Sequence, residues 1–235
     1  MIKVEHIDTW GFEHAIRGMR NPLNSWERSD SQMVWTEDPS YDNIGRLDLA
    51  MRMVIGDNDL TLMRKLYAAG QPHRKYLRQI FAVMDITAPL YWWKEFDTYK
   101  VGTTANSCST MHKIAAREFT LEDFSCEHLT LIHADDFPLG KCASIDPLKN
   151  IIEFLNEYRR RYNDATDTEW KKLYWWQMIQ LLPSSYNQRR TVSMTYENVM
   201  NMLDHRENHK LDEWREFCKI LRKLPYIKEI RGEDE

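Results

Sequence analysis

The sequence predicts a single α+β domain spanning residues 1–235, with helices in the majority around a small, mostly antiparallel sheet. Three observations support this fold class. The length of 235 residues suits one large compact domain, and 43% of the residues are hydrophobic, enough to build its core. Apolar residues recur at helical spacing through the second half, whereas a segment near position 80 alternates with period two. Internal repeats and linkers are absent.

The N-terminal quarter contains two short elements and one long connection. Residues 1–8 read as a strand and residues 10–19 as a helix. Residues 20–56 are rich in Asn, Pro, Ser and Asp and show little periodicity. Because a connection this long inside a compact domain is usually functional or mobile, we expect a lid or a binding loop there.

A helix and a buried strand follow. The triplet that begins at Asp57 predicts the N-cap of a helix over 58–69, which Gly70 ends. Residues 76–87 then alternate as a strand. The strand is predicted to be buried on both faces, with one face formed by Ile80, Ala82, Met84 and Ile86 and the other by Phe81 and Val83.

After Pro89, the segment LYWWKEF predicts a helix that presents Lys94 and Glu95 just before an irregular polar stretch. Asp146 and Pro147 predict the N-cap and first position of another helix. Its apolar stripe comprises Leu148, Ile151, Ile152, Leu155, Tyr158 and Tyr162.

A further helix is predicted to begin at a capping box of Thr166 and Glu169 and to stop at Pro183. One face of this helix comprises Trp170, Leu173, Tyr174, Gln177, Met178 and Leu181. The alternating segment RRTVSMTY predicts a strand, and two helices over 196–206 and 209–222 complete the fold.

Charge and hydropathy exclude several classes of protein. The net charge of −4 gives no general attraction for a polyanion, and the basic run 159–161 fits a solvated helix face, so we expect no nucleic-acid partner. No apolar run approaches the roughly 20 residues of a membrane helix. The first ten residues lack the apolar region of a signal peptide, so we expect a cytoplasmic protein without a membrane partner.

The four cysteines form no CxxC pair. Cys108 with His112 is one conceivable zinc-binding set. A second comprises Cys126, His128, His133 and Cys142. Because these spacings match no standard zinc finger, reduced thiols and no metal are expected.

The sequence contains no nucleophile elbow, GxGxxG motif, P-loop or HExxH motif. Its order of elements nevertheless resembles the flavin-dependent thymidylate synthase family across most of residues 58–222. In that family, a strand enters an Ala-Pro helix that leads to Arg-Gln-Trp and then to the signature R-H-R-x-x-S-x-N-E-x-S-x-R. Later come a Leu-Pro-x-x-x-Tyr strand, a helix ending in Arg, and a His and a Glu four apart. Here Ala88-Pro89, Leu182-Pro183 and Arg206 stand at the matching places, with His209 and Glu213 beyond.

Several motif positions are substituted. The Arg-Gln-Trp position reads 94–96 (KEF), and the first signature triplet reads 98–100 (TYK). The last signature arginine is replaced by Thr110 or Met111. Glu197 stands where the family has the arginine of an Asn-x-Arg that contacts the flavin.

The resemblance implies FAD as carrier, NADPH as reductant, methylenetetrahydrofolate as one-carbon donor and dUMP as acceptor, in a homotetramer whose sites lie between subunits. It implies that FAD is bound by Lys94, Tyr99, Lys100, Thr103, Thr104 and Arg189. The implied nucleotide ligands are Glu95, Asn106, Ser107, Ser109 and Arg206, of which Arg206 is also the catalytic candidate. Cations, hydroxyls and aromatic rings suit the phosphates and flat rings of such ligands.

The residues themselves favour Arg206 most. Val199, Leu203 and Arg206 share one helix face, so the guanidinium lies beside the core and needs an anion. The alternative is a structural arginine favoured by the helix dipole or paired with Glu207 or Asp204.

Other site candidates have structural alternatives too. Arg189 and Arg190 must point to opposite faces of their strand, and His209 with Glu213 is interpretable as an intrahelical pair. The polar residues 99–109 are equally typical of a turn. Two further functions therefore stay open: a nucleotide-binding protein without flavin chemistry, and an enzyme acting on another pyrimidine nucleotide.

Overall fold

The structure is a computed structural model that describes residues 1–37, 49–129 and 144–233. Residues 38–48 of the expected lid, together with His133 and Cys142, lie outside these ranges. Along the chain the strands are β1 (Lys3–Trp10), β2 (Gln32–Glu37), β3 (Leu49–Val54), β4 (Phe81–Pro89), β5 (Thr103–Ser107) and β6 (Asn187–Thr195). The helices are α1 (Phe12–Arg20), α2 (Asp57–Ala68), α3 (Leu90–Phe96), α4 (Thr110–Lys113), α5 (Asp146–Asp164), α6 (Thr168–Leu181), α7 (Tyr196–Arg206), α8 (Asp212–Leu221) and α9 (Ile227–Arg231).

The central sheet has four antiparallel strands in the order β1-β4-β6-β5. In its middle, Met84 lies opposite Val192 and Ile86 lies opposite Arg190. This arrangement confirms the α+β fold class with helices in the majority. Strand β5 lies in the stretch that was expected to be irregular. The strand was not predicted because its polar sequence, TTANS, has no apolar alternation.

One face of the sheet carries the main core. Ala82, Met84 and Ile86 are fully buried, as the alternation predicts. They pack with α1, α3, α7 and α8 in one apolar cluster. The opposite face is only half-buried at Phe81 and Val83, so the expectation of burial on both faces is wrong for that side. The strand also starts later than predicted, because Lys75–Gln79 forms a 3-10 helix.

A second core lies between α5 and α6 and the segment after α4. Leu148, Leu155 and Met178 are buried there with Phe119 and Phe124, and the predicted stripe of α5 packs as expected. On the predicted face of α6, Met178 is buried and Tyr174 and Gln177 are half-buried. Solvent-exposed side chains on that face are Trp170 (56%), Leu173 (44%) and Leu181 (39%).

The helix caps differ in detail from the predictions. The Asp30 carboxylate accepts hydrogen bonds from the backbone N–H groups of Asn58 (2.9 Å) and Asp59 (3.1 Å), so the cap of α2 comes from another segment. Asp167, rather than Thr166, caps α6 through the N–H groups at positions 169 and 170. Asp146 lies inside the first turn of α5, whose N-cap is Ile145.

The expected irregular stretch 20–56 contains regular structure. Strands β2 and β3 form a two-stranded antiparallel sheet. The residues before it are held by a buried ion pair in which Arg20 Nε lies 2.6 Å from Asp59 Oδ1. Ser29 and Ser31 donate to the other carboxylate oxygen. The lid role of this stretch stays a prediction.

Candidate functional site

The C-terminal ends of α3 and α7 meet the start of α8, and a cluster of polar and aromatic side chains forms where they meet. Its centre is Glu95, the residue before the last position of α3. Glu95 Oε2 accepts from Arg206 Nη1 at 2.9 Å and from Trp214 Nε1 at 3.2 Å. The His209 Nε2 atom lies 3.2 Å from the same oxygen. Three nitrogen groups therefore converge on one carboxylate oxygen.

Arg206 is held on an aromatic surface. Its Nε donates to the Tyr99 hydroxyl at 3.1 Å, and its Cζ lies 5.0 Å from the Trp214 ring centroid and 5.8 Å from that of Tyr99. The Arg206 side chain is 21% exposed. Among the described residues, none accepts a hydrogen bond from its Nη2, so one edge of the guanidinium faces solvent with donor capacity left.

The structure corrects the pairing expected for Arg206. Glu207 pairs with Arg222 and Asp204 with Arg231, so neither neighbour neutralises it. Its carboxylate partner is Glu95, 111 positions earlier. Val199 and Leu203 are buried beside it, as the helical spacing predicts.

The expected intrahelical pair of His209 and Glu213 is wrong, because α8 begins only at Asp212. Glu213 is buried and instead accepts a hydrogen bond from the Tyr91 hydroxyl. Burial raises the pKa of Tyr91, and the hydrogen bond to the Glu213 carboxylate raises it further. The His209 side chain contacts Glu95 instead of Glu213.

The two strand arginines lie on opposite faces of β6, as predicted, and each has an internal partner. Arg189 Nη2 lies 2.5 Å from Asp85, whose pKa is lowered by hydrogen bonds from Thr191 and then from Arg189. Arg190 Nη1 lies 2.7 Å from Asp97 and its Cζ is 4.2 Å from the Trp93 ring centroid. Arg189 does not contact the Arg206 cluster.

Of the remaining residues expected to bind FAD, some are exposed and others are hydrogen-bonded to neighbouring side chains. Lys94, Lys100 and Thr104 are exposed, and no carboxylate of the described residues pairs with either lysine. The Thr103 hydroxyl accepts from Asn198 Nδ2 at 2.7 Å. At the substituted position on α7, Glu197 receives a two-point contact from Arg78, with Nε 2.5 Å from Oε2 and Nη2 3.1 Å from Oε1.

The remaining nucleotide candidates lie on β5 and just beyond it. Asn106 and Ser107 are exposed on the strand. The Ser109 hydroxyl caps α4 by accepting from the His112 N–H at 3.1 Å. Ser109 also lines a cleft of about 410 Å³, together with Cys108, Thr110, Lys113, Arg117, Tyr186 and Arg189.

This cleft is lined by the cations Lys113, Arg117 and Arg189 and by the carboxylates Glu122 and Asp123. Arg117 forms an ion pair with Asp123, which raises the pKa of Arg117, whereas no described carboxylate pairs with Lys113. No hydrogen bond or ion pair between described residues joins the cleft to Arg206. The structure thus divides the predicted nucleotide ligands into two groups, with Glu95 and Arg206 in one and Ser109 in the other.

Sequence reasoning missed three residues of these sites. Trp214 directly follows Glu213 and lies within the region that resembles the family, but the sequence did not predict it as a site residue. Lys113 and Arg117 were also missed. The available signal was only their positive charge close to Ser109 in the sequence, because α4 ends at Lys113 and a spacing of four brings side chains together only within a helix.

A second cleft, of about 500 Å³, lies beside α1 and contains none of the predicted site residues. Within residues 1–37, 49–129 and 144–233, no group of three or more His, Cys, Asp or Glu side chains is arranged to hold a metal ion. No helix among those residues has the length and apolarity to cross a membrane.

The element order and the antiparallel sheet define the fold of the ThyX thymidylate synthases. One solved structure, thymidylate synthase X from Helicobacter pylori with FAD and dUMP, superposes with a TM-score of 0.62 at 15% identity, over 100% of this chain and 98% of that chain. A second, the flavin-dependent thymidylate synthase ThyX of the same organism complexed with FAD and dUMP, gives a TM-score of 0.62 at 15% identity, over 99% of this chain and 98% of that one. No protein-family model matches the sequence, and no curated protein matches it.

Proposed function

We propose that this protein binds a pyrimidine nucleotide and transfers a one-carbon unit from methylenetetrahydrofolate to C5 of dUMP by flavin-dependent chemistry. The observation that carries the proposal is the Arg206 guanidinium. It lies against the rings of Tyr99 and Trp214 with Nη2 unoccupied by any described residue. Trp214 is fully buried, so the ring open to a ligand is that of the half-buried Tyr99. A cation beside such a ring suits a ligand that combines an anionic group with a flat ring.

The donor set fits the phosphates of FAD. Lys94 and Lys100 are exposed cations without a carboxylate partner among the described residues, and Thr104 offers an exposed hydroxyl. These three residues would hold the phosphates, with the Tyr99 ring beside them. When bound, FAD supplies the carrier of the one-carbon unit and of reducing electrons that NADPH provides. Arg206 holds and orients the acceptor.

The proposal includes a homotetramer in a cytoplasmic setting. The predicted nucleotide ligands fall into two groups that do not contact each other within the described chain, at Arg206 and at Ser109. A site shared between subunits would bring the Arg206 group of one copy to the Ser109 group of another. The cleft at Ser109 contains Lys113, which no carboxylate in the described part of the chain pairs with, and this lysine would then supply a second cation to the same phosphate.

One observation favours a second candidate, a nucleotide-binding protein without flavin chemistry. Four arginines around the candidate residues are neutralised internally rather than left for ligands. The pairs are Arg78 with Glu197, Arg189 with Asp85, Arg190 with Asp97, and Arg206 with Glu95. In this alternative, Glu197 has replaced the flavin contact and the protein retains only a nucleotide.

Calorimetric titration of dUMP into the wild type and Arg206→Ala tests the proposal. One charge-assisted contact is worth about 1.5–3 kcal/mol, so the substitution should weaken binding by roughly ten- to a hundredfold. Arg160→Ala is the matched control, because this exposed arginine on α5 pairs with Glu157 and does not contact the cluster. Equal affinities in wild type and Arg206→Ala would refute the role of Arg206.

The flavin step has its own test. Visible absorbance of bound flavin, in the purified protein or after mixing with FAD, is the expected result, and Lys94→Ala with Lys100→Ala should weaken it. Nucleotide binding with no flavin absorbance at any FAD concentration would favour the second candidate.

A further inference from the structure

The Arg206 site already contains an anion supplied by the chain. Glu95 Oε2 accepts hydrogen bonds from Arg206 Nη1 at 2.9 Å and from Trp214 Nε1 at 3.2 Å, and His209 Nε2 lies 3.2 Å from the same oxygen. These are the donors that a phosphate or carboxylate of a ligand would need. Glu95 therefore occupies the position that an incoming anion would take.

This internal anion is accessible rather than sealed. The Glu95 side chain is 35% exposed, while those of Arg206 and His209 are each 21% exposed. A ligand can therefore reach the guanidinium from the solvent side, at Nη2, or displace the carboxylate from Nη1. In the first arrangement its phosphate lies next to the Glu95 carboxylate, and like charges at such separations repel. In the second, the ligand must replace every contact that Glu95 makes.

We infer that Glu95 is a charge-selectivity residue of this site, which lowers its affinity for phosphorylated ligands relative to the uncharged nucleoside. The inference rests on the proposed function, because it concerns the ligand of the same arginine. It follows from the geometry that a neutral ligand packed against the half-buried Tyr99 ring meets no such opposition. A glutamine at position 95 would keep the shape of the side chain and remove its charge.

The first experiment titrates dUMP and deoxyuridine into the wild type, Glu95→Gln and Asp97→Asn. Asp97 is the matched control, because it lies just after the same helix and its removal also deletes one negative charge, but it pairs with Arg190. We expect Glu95→Gln to bind dUMP at least tenfold more tightly, with deoxyuridine affinity changed less than twofold. Asp97→Asn should change neither. Melting curves verify folding, and Glu95→Ala serves as a second variant.

The second experiment reads the site without a nucleotide. The Trp214 indole N–H donates to Glu95, so its NMR resonance, assigned with Trp214→Phe, reports on occupancy of that position. Inorganic phosphate should shift this resonance in Glu95→Gln at concentrations that leave the wild type and Asp97→Asn unchanged.

The outcomes separate the two claims. Binding of dUMP through Arg206 with no gain in Glu95→Gln over Asp97→Asn overturns the role of Glu95 and leaves the proposed function standing. Failure of every variant to bind dUMP overturns the proposed function. In that case the phosphate titration decides on Glu95: a shift confined to Glu95→Gln supports its role, and identical responses in wild type and variant refute it.

Discussion

Replacing Asp59 by alanine should destabilise the protein more than the same change at any other described carboxylate in the first third of the chain. Asp59 is fully buried and Arg20 is 3% exposed. The carboxylate binds Arg20 Nε at 2.6 Å, while the hydroxyls of Ser29 and Ser31 donate to it at 2.7 and 2.6 Å. Its removal leaves the Arg20 charge buried with only carbonyl and hydroxyl partners, a loss that typically costs about 3–5 kcal/mol.

Urea unfolding followed by circular dichroism measures this loss. Asp57→Ala is the matched control, since Asp57 is an exposed carboxylate in the same first turn of α2. Its removal should cost no more than about 1 kcal/mol, the worth of a charge near a helix N-terminus. A loss below about 1.5 kcal/mol for Asp59→Ala would refute the reasoning, because a buried guanidinium without its partner must cost more than that.

The same carboxylate predicts a pH dependence. Burial raises the pKa of Asp59, but hydrogen bonds from Ser31, Ser29 and Arg20 outweigh it, so the pKa lies below its usual value. A depressed pKa contributes stability that is present above the unfolded-state pKa of about 3.9 and is lost as pH falls through the folded-state value. The difference in unfolding free energy between wild type and Asp59→Ala should therefore be constant near neutrality and shrink below about pH 4.

Two further predictions concern glycines and assembly. Gly11 and Gly70 have left-handed φ angles of 93° and 94°, but a Cβ at Gly11 would lie 2.1 Å from the carbonyl oxygen of Gln79, whereas one at Gly70 meets nothing within 4 Å. Melting curves should show a loss of about 1 kcal/mol for Gly70→Ala and at least twice that for Gly11→Ala, and equal losses would contradict the predicted steric effect. Light scattering should give a particle four times the chain mass of 28.2 kDa, and a 28.2 kDa particle at micromolar concentration would count against a site shared between subunits.

The elements that the sequence predicted best are those with local signals. The buried face of β4 follows from the alternation through Met84 and Ile86, and α7 from its apolar spacing. Strand β5 has no such signal. It is polar and mostly exposed, and only pairing with β6 makes it a strand. The cap of α2 is likewise non-local, because Asp30 reaches it from 28 positions away.

The candidate site shows the same division between local and non-local information. Helical spacing predicted that Arg206 lies beside the core and needs an anion. It did not predict which anion, because Glu95 is 111 positions away and the nearer carboxylates are bound elsewhere. The resemblance supplied Glu95 as a nucleotide ligand. In the structure the Glu95 carboxylate competes for the same guanidinium, because a second oxygen anion bound there would lie next to the Glu95 charge.

The Arg206–Glu95 ion pair contributes too little to folding stability to explain why these side chains are positioned so closely. Both side chains are partly exposed, and ion pairs in such positions contribute about 0–1 kcal/mol. A well-packed apolar pair would stabilise the same position at least as well. The pair is nevertheless held by Trp214, Tyr99 and His209 together, so three further side chains fix one guanidinium and one carboxylate. Such positioning favours a site in which charge and orientation matter to a ligand. Lys94 and Lys100, which pair with no carboxylate of the described residues, then supply the net positive charge that an already neutralised Arg206 does not.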